Sequence, residues 1–435
     1  MAVEWVETSL AEVMEVKHGF AFPGGNIRDE PPGDILLTPG DFAIGGGFKG
    51  DKFKHFDGDA PADYVLSEGD LVVTMTDLSK QADTLGYPAL VPRPSGPRFL
   101  HNQRLGKVLI KDGAELDKSF LFYLLRTAEY RHEVLASATG TTVKHTSPGR
   151  ILAHKTCIPP LAEQKAIAAV LGALDDKIEL NRRMNATLEV MARALFQSWF
   201  VDFDPVRAKL DGREPVGLDS DTAALFPDAF HDSEFGHIPN GWAVGRVADV
   251  SDFSRSSINP GGCPEETFDH YSLPAFDGDR TPKTELGSAI MSNKLVVIRD
   301  SVLLSKLNPH IQRIWLPDLH ATRRSVCSTE FIVATPRHCY SREFLFSLFT
   351  SAAFASTYCT LVTGTTGSHQ RIQPEGVLDI KVVIPPSSLV EAFTAIAKSM
   401  LDPINRNIDQ SRILATLRDT LLPKLLSGES SVAPN

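Results

Sequence analysis

The sequence predicts a mixed α/β (α+β) chain: two similar globular domains joined by two long antiparallel coiled-coil helices, arranged as a pseudo-twofold internal repeat. Three observations predict it. Residues 119–142, SFLFYLLRTAEYRHEVLASATGTT, align without a gap to residues 343–366, EFLFSLFTSAAFASTYCTLVTGTT, with nine of 24 positions identical. Ile158-Pro159-Pro160 recurs as Ile384-Pro385-Pro386. After each Pro-Pro pair, apolar residues recur at alternating steps of four and three, the spacing of a coiled-coil seam.

The first globule covers 1–160. Short β-rich runs such as Leu71-Val72-Val73 and Val108-Leu109-Ile110 alternate with Gly/Pro turns, and a helix containing Phe120–Leu125 interrupts them. Residues 161–200 form a spacer helix with a row of Ile167, Leu171, Leu174, Ile178, Leu188, Leu195 and Trp199. Proline can start a helix but not continue one, so Pro159-Pro160 marks its beginning. Residues 201–240 read as an acidic, Pro-containing linker anchored by Phe226 and Phe230. The second globule covers 241–386, with a helix at Phe344–Phe349 and a strand at Leu295–Ile298. The second spacer helix, 387–428, carries Phe393, Ala397, Met400, Ile404, Leu414, Leu421 and Leu425, and Pro403 is expected to bend or interrupt it. Forty residues of helix span ~60 Å at ~1.5 Å per residue.

Composition excludes several classes. No window approaches the ~20 apolar residues of a membrane span. The start, Met-Ala-Val-Glu-Trp-Val-Glu, lacks the features of a signal peptide. Cys157, Cys263, Cys327, Cys339 and Cys359 form no C-x-x-C pair, which argues against a metal site or disulfide framework and for a reducing cytoplasm. The net charge is -10, but residues 201–240 hold 3 basic and 9 acidic side chains and so account for more than half of it. Either globule therefore remains free to carry a basic face. Catalytic signatures are missing: Asn308-Pro309-His310 lacks the second proline and aromatic of an amino-methyltransferase loop, and Gly45-Gly46-Gly47-Phe48-Lys49 has the wrong spacing for a phosphate loop. His132 and His154 read as helix or strand histidines rather than metal ligands.

The run Ile158-Pro159-Pro160-Leu161-Ala162-Glu163-Gln164-Lys165-Ala166-Ile167-Ala168 closely resembles the type I restriction–modification specificity subunits. So do Leu195–Val206, Leu421–Gly428, Thr74–Leu78, His101–Gly106 and Gly140–Pro148. The second helix departs from the usual Leu-x-Glu-Gln opening, having Ser387-Ser388-Leu389-Val390-Glu391-Ala392. The resemblance implies a non-catalytic DNA-recognition subunit. Two target-recognition domains each read half of a split, asymmetric double-stranded DNA site, and the helices set the gap between them. Two modification subunits would make an adenine-N6 methyltransferase using S-adenosylmethionine. Two restriction subunits would add ATP- and Mg-dependent translocation and cleavage. This chain itself is expected to bind no cofactor and no metal. An orphan subunit serving methylation only is the alternative.

For DNA contact, the Thr-Gly-Thr-Thr runs stand first: Thr141, Thr142, Thr365 and Thr366 allow close approach to phosphates, and Lys144, His145, His369 and Arg371 add charge and reach. Thr141 and Thr365 equally suit a helix cap or turn. Thr141, Lys144, Thr365 and Arg371 are expected on one DNA-facing side. His101, Asn102, Gln103 and Arg104 carry the groups that pair with adenine and guanine edges, although Arg104 also suits a surface ion pair. Lys306, Arg313, Arg323 and Arg324 around Trp315 form a basic loop or a solvated face, as do Lys49, Lys52, Lys54 and His55. Lastly, Asn181 interrupts the apolar row Ile167, Leu174, Leu188, Leu195, and Asn407 interrupts Phe393, Met400, Leu414, Leu421. The two asparagines are expected to meet as a buried amide pair that fixes helix register.

Overall fold

The computed structural model describes residues 5–50, 53–79, 81–94, 96–320, 322–363 and 370–432. Lys52, Thr365, Thr366 and His369 lie outside the described residues. The chain divides into two compact units, residues 1–178 with 413–435, and residues 179–412. Each contains one globule, the first part of the helix that follows it, and the last part of the other helix.

In the first unit, Leu71–Thr74 is buried on both faces, as its unbroken Leu-Val-Val-Thr run requires. It lies inside an antiparallel sheet ordered Met14–His18, Leu105–Ile110, Leu71–Thr74, Pro88–Leu90. A five-stranded sheet is ordered Ile27–Arg28, Lys54–Phe56, Asp34–Leu37, Phe99–His101, Val65–Leu66, with a single parallel pair between Phe99–His101 and Asp34–Leu37. Where one helix was expected, two stand in series. Asp117 caps Lys118–Leu124 by accepting from Phe120 N at 2.9 Å, and Thr127 caps Ala128–Ala136. The core joins Leu10, Met14, Phe120, Tyr130 and Ile151 to Ile167 and Leu171 of one long helix and Leu425 and Leu426 of the other.

The second unit repeats this plan. Its antiparallel sheet runs Ser251–Ser254, Phe331–Pro336, Val302–Ser305, Ile314–Trp315, the same order as in the first. Its five-stranded sheet keeps the same four central strands: Lys283–Leu286, Thr267–Tyr271, Arg324–Cys327 and Lys294–Val296, again with the second and third parallel. The fifth strand differs. Ile27–Arg28 lies outside Lys54–Phe56 in the first unit, whereas Ser257–Ile258 lies outside Lys294–Val296, at the opposite edge, in the second. Again two helices follow, Arg342–Thr350 and Ala352–Thr360, capped by Ser341 and Ser351.

Both long helices contain 40 residues, Leu161–Phe200 and Ser387–Leu426. Their starts differ by 387 − 161 = 226, the repeat offset, even though the second lacks the Glu-Gln opening. Gln164 explains the motif. Fully buried, it donates to the carbonyls of Glu115 and Pro159 at 2.9 and 2.7 Å and accepts from Asp117 N at 2.7 Å, tying helix to globule. Val390, at the same repeat position (164 + 226), is buried too and makes the junction by packing alone. Pro403 does not interrupt its helix; it leaves one carbonyl of the ladder without its i+4 donor.

Residues 201–240 contain helices Asp204–Leu210 and Ser220–Ala224 and a hairpin of Phe230–Ser233 with Gly236–Pro239. Phe226 packs on Trp199, ring centroids 5.1 Å apart. No helix among the described residues is long and apolar enough to cross a membrane.

The amide pair takes another form than the one expected. Asn181, only 1% exposed, sends Nδ2 to Gln410 Oε1 (2.9 Å), Ser411 Oγ (3.2 Å) and the Asn407 carbonyl (3.4 Å). Asn407 Nδ2 instead donates to Asn185 Oδ1 at 2.7 Å. The helices are antiparallel but staggered, so each asparagine meets residues one turn along from the other. The result is a polar layer of five side chains rather than one amide pair.

Candidate nucleic-acid interface

Three loops of the first unit converge beside the end of Leu71–Thr74. Met75 N donates to the Arg104 carbonyl (2.9 Å), and Thr146 N donates to the Met75 carbonyl (3.0 Å). Lys144–His145 pairs antiparallel with Thr76–Asp77. The turn between the loop's ends closes through mutual backbone bonds of Thr139 and His145 at 3.0 and 2.8 Å. Gly140 makes that turn possible: its φ is +97°, and a Cβ there would lie 1.9 Å from the Val143 carbonyl oxygen. Thr141 and Thr142 are left exposed at the tip, and Thr141 caps no helix, since Ala128–Ala136 ends before it.

The ledge under this turn is rigid. Asp77 accepts from Ser79 N (2.6 Å) and from Thr84 N and Oγ1 (2.5 and 2.6 Å). Burial pushes its carboxyl pKa up, but these hydrogen bonds outweigh burial and hold it below the usual range. On the ledge stand exposed Gln103 and Arg104, half-buried Lys144 and exposed His145, whose Nδ1 lies 3.1 Å from Thr76 Oγ1. Among the described residues, no carboxylate pairs with Arg104 or Lys144. Arg150, which donates to Thr139 Oγ1 at 3.3 Å, is a further cation of the loop. It went unremarked in the sequence because it sits on a short helix outside every motif.

Other candidates do not join this surface. His101 is fully buried, its Nε2 donating to the Leu105 carbonyl at 2.9 Å, and burial lowers its pKa to about 4. It is a core histidine because its strand lies inside the five-stranded sheet. Asn102 is buried as well, with Oδ1 accepting from Arg104 N at 2.9 Å to shape the turn that exposes its two neighbours. Lys54 pairs with Asp29, and Lys49 reaches the Gly40 carbonyl at 3.3 Å, so they do not make one free basic patch.

The second unit builds the same crossing. Lys306 N donates to the Glu330 carbonyl (2.8 Å), and Ile372 N to the Lys306 carbonyl (3.2 Å). Glu330 thus occupies the place of Arg104, and Arg371 that of His145, each at an offset of 226 (330 − 104; 371 − 145). Arg371 donates Nε and Nη2 to the Glu330 carboxylate at 3.1 and 2.9 Å. Lys306 is half-buried beside them. The remaining arginines are dispersed. Arg313, with 11% side-chain exposure, is held by both oxygens of Asp277; Arg323 pairs with buried Asp269; Arg324 lies over Phe268 and pairs with Glu266. They buttress the second sheet and form no shared basic loop.

Residues 2–190 match the family model described as the type I restriction modification DNA specificity domain. The chain is thus similar to the type I restriction–modification specificity subunits. It is 26% identical over 366 residues to the HindI specificity subunit of Haemophilus influenzae, covering 71% of this chain and 77% of that one. It is 24% identical to the MjaIX specificity subunit of Methanocaldococcus jannaschii, covering 80% and 76%. The S subunit structure from M. genitalium shares its fold, with a TM-score of 0.58 at 14% identity over 98% of this chain and 96% of that one.

Proposed function

We propose that the two units read the two halves of one bipartite, asymmetric DNA target, and that the paired helices fix the gap between the halves. The observation that carries this is the repeated loop crossing with different side chains: exposed Arg104 and His145 in one unit, half-buried Glu330 and exposed Arg371 in the other. The same scaffold built twice gives two readers; unlike side chains give them unlike preferences, hence an asymmetric site. Two modification subunits and two restriction subunits assemble on this one chain. The test is methylation-aware sequencing of DNA from cells that carry the protein with its modification partner. One two-part motif with a fixed gap is expected, and a contiguous or symmetric motif overturns the reading. Within the first reader, Lys144 and Arg104 supply charge. Lys144→Ala should weaken binding to all sequences alike and reduce the salt slope by about one, as a phosphate contact does.

A further inference from the structure

We infer that Arg371 reads a guanine in the half-site of the second unit, and that Glu330 is the positioning residue that aims it. This rests on the DNA-reading role proposed above. Arg371 is held at both ends. Its backbone sits in the Arg371–Ile372 strand, paired to Val362–Thr363 and bridged to Leu307. Its guanidinium is clamped side-on by Glu330 through Nε and Nη2. Glu330 is itself fixed, its N–H donating to Ser328 Oγ at 3.2 Å and its carbonyl accepting from Lys306. A guanidinium carries five donors in one plane. Side-on pairing through Nε and Nη2 fixes the plane of the half-exposed group, and its Nη1/Nη2 edge is the one that takes guanine O6 and N7 together.

The pair differs from an ordinary ion pair in three respects. The fold does not need it, because the same backbone crossing forms in the first unit with Arg104 and His145 in these places. It stabilises the surface little, since Arg371 is 52% exposed. It also suits phosphate poorly: a carboxylate alongside cancels the charge that drives counterion release, whereas a base edge, which is neutral, rewards a fixed direction more than net charge. At the first unit's crossing, among the described residues, no carboxylate pairs with Arg104 or Lys144, which suits phosphate contact there.

The full chain, in complex with its modification subunit, is assayed for binding to duplexes carrying its target with each base varied in turn. Arg371→Ala is expected to abolish a preference for guanine at one position of one half-site, roughly ten- to hundred-fold, and leave other positions unchanged. Arg371→Lys should not restore it, because a point charge cannot replace a planar fork. Glu330→Gln should reduce the same preference about tenfold at that position alone, with the melting temperature and salt slope unchanged; a purely structural role would move the melting temperature instead. The inference is overturned if Arg371→Ala weakens all sequences equally and Arg371→Lys rescues it, the signature of a phosphate contact, or if either variant leaves the preference intact. Should the unaltered complex show no sequence preference at all, the DNA-reading role itself fails, an outcome distinct from both.

Discussion

The two units seat their globules on the helices by opposite chemistry. In the first, Asp175 of the long helix accepts from Arg126 Nη1 at 2.9 Å, Arg418 Nη1 at 2.6 Å and Tyr123 Oη at 2.9 Å. Burial pushes the Asp175 carboxyl up, yet the two guanidiniums outweigh burial and hold it below its ordinary range. The repeat places Leu401, Thr350, Ala192 and Ser347 at the corresponding sites (175 + 226, 126 + 224, 418 − 226, 123 + 224). There the junction is aromatic instead: Phe393 lies 5.7 Å from Phe196, 5.2 Å from Phe200 and 6.1 Å from Phe344. The comparison teaches that the backbone plan, not the contact chemistry, is what duplication preserved. An ion-paired seat demands one geometry, while a packed aromatic seat relies on area and shape.

The largest effect should come from the aromatic seat. Phe393→Ala is expected to cost about 3–5 kcal/mol, with faster hydrogen exchange in 241–386 and little change in 5–160. Equal loss of protection in both would break the comparison. Next comes acid. His101 and Cys327 occupy the same repeat place (101 + 226), and burial lowers the first to about 4 while pushing the second up to about 12. Folded His101 therefore binds its proton less readily than unfolded histidine, whose pKa is about 6.5. Its contribution is complete above pH ~6.5 and is lost as pH falls towards 4, on the order of 3 kcal/mol. Cys327 has no such window. Melting curves between pH ~6.5 and ~4 should show the first unit weakening more than the second, and His101→Cys should reduce that difference.

Somewhat smaller is the ionic seat. Asp175→Leu alone should cost about 2–3 kcal/mol, less than a fully buried pair because Asp175 keeps 27% exposure. Adding Arg126→Thr and Arg418→Ala, the residues of the other unit, should recover most of it in urea titrations. If the triple variant were no better than the single one, the two seats would not be interchangeable solutions. Smallest is the polar layer, where the paired repeat positions Asn181 and Asn407 make different bonds. Asn181 Oδ1 is buried without a partner, so Asn181→Leu should raise stability by about 1 kcal/mol. Under the proposed spacing role of the helices, the same change should relax discrimination between targets whose gap differs by one base pair, measured as relative methylation.

The duplication was legible because its signals are local: Thr-Gly-Thr-Thr, Ile-Pro-Pro, and a seven-residue rhythm that only a paired helix sustains. The offset of 226 even carried across to helix starts with unlike openings. What escaped is non-local. Ile27–Arg28 and Ser257–Ile258 are two-residue edge strands, too short to show a period, so their exchange of edges left no pattern. His101 reads as a polar group for the surface until its strand proves internal. Glu330 and Arg371 lie 41 positions apart, and nothing in either segment announces the other. Asn181 and Asn407 were found as a polar layer, but a stagger of one turn is set by packing along the whole helix pair, which no single row of residues records.

Because each unit takes one end of both helices, the molecule also has a timetable. The second unit is a single continuous stretch, 179–412, while the first needs 413–426 to complete its core. During synthesis, Leu425 and Leu426 follow Ile178 by about 250 residues (426 − 178), roughly 12–50 s at ~5–20 residues per second. Through that interval the apolar stripe of Ile167 and Leu171 waits without its lid, while everything the second globule requires has already been made. The globule that is translated first is the one that finishes last.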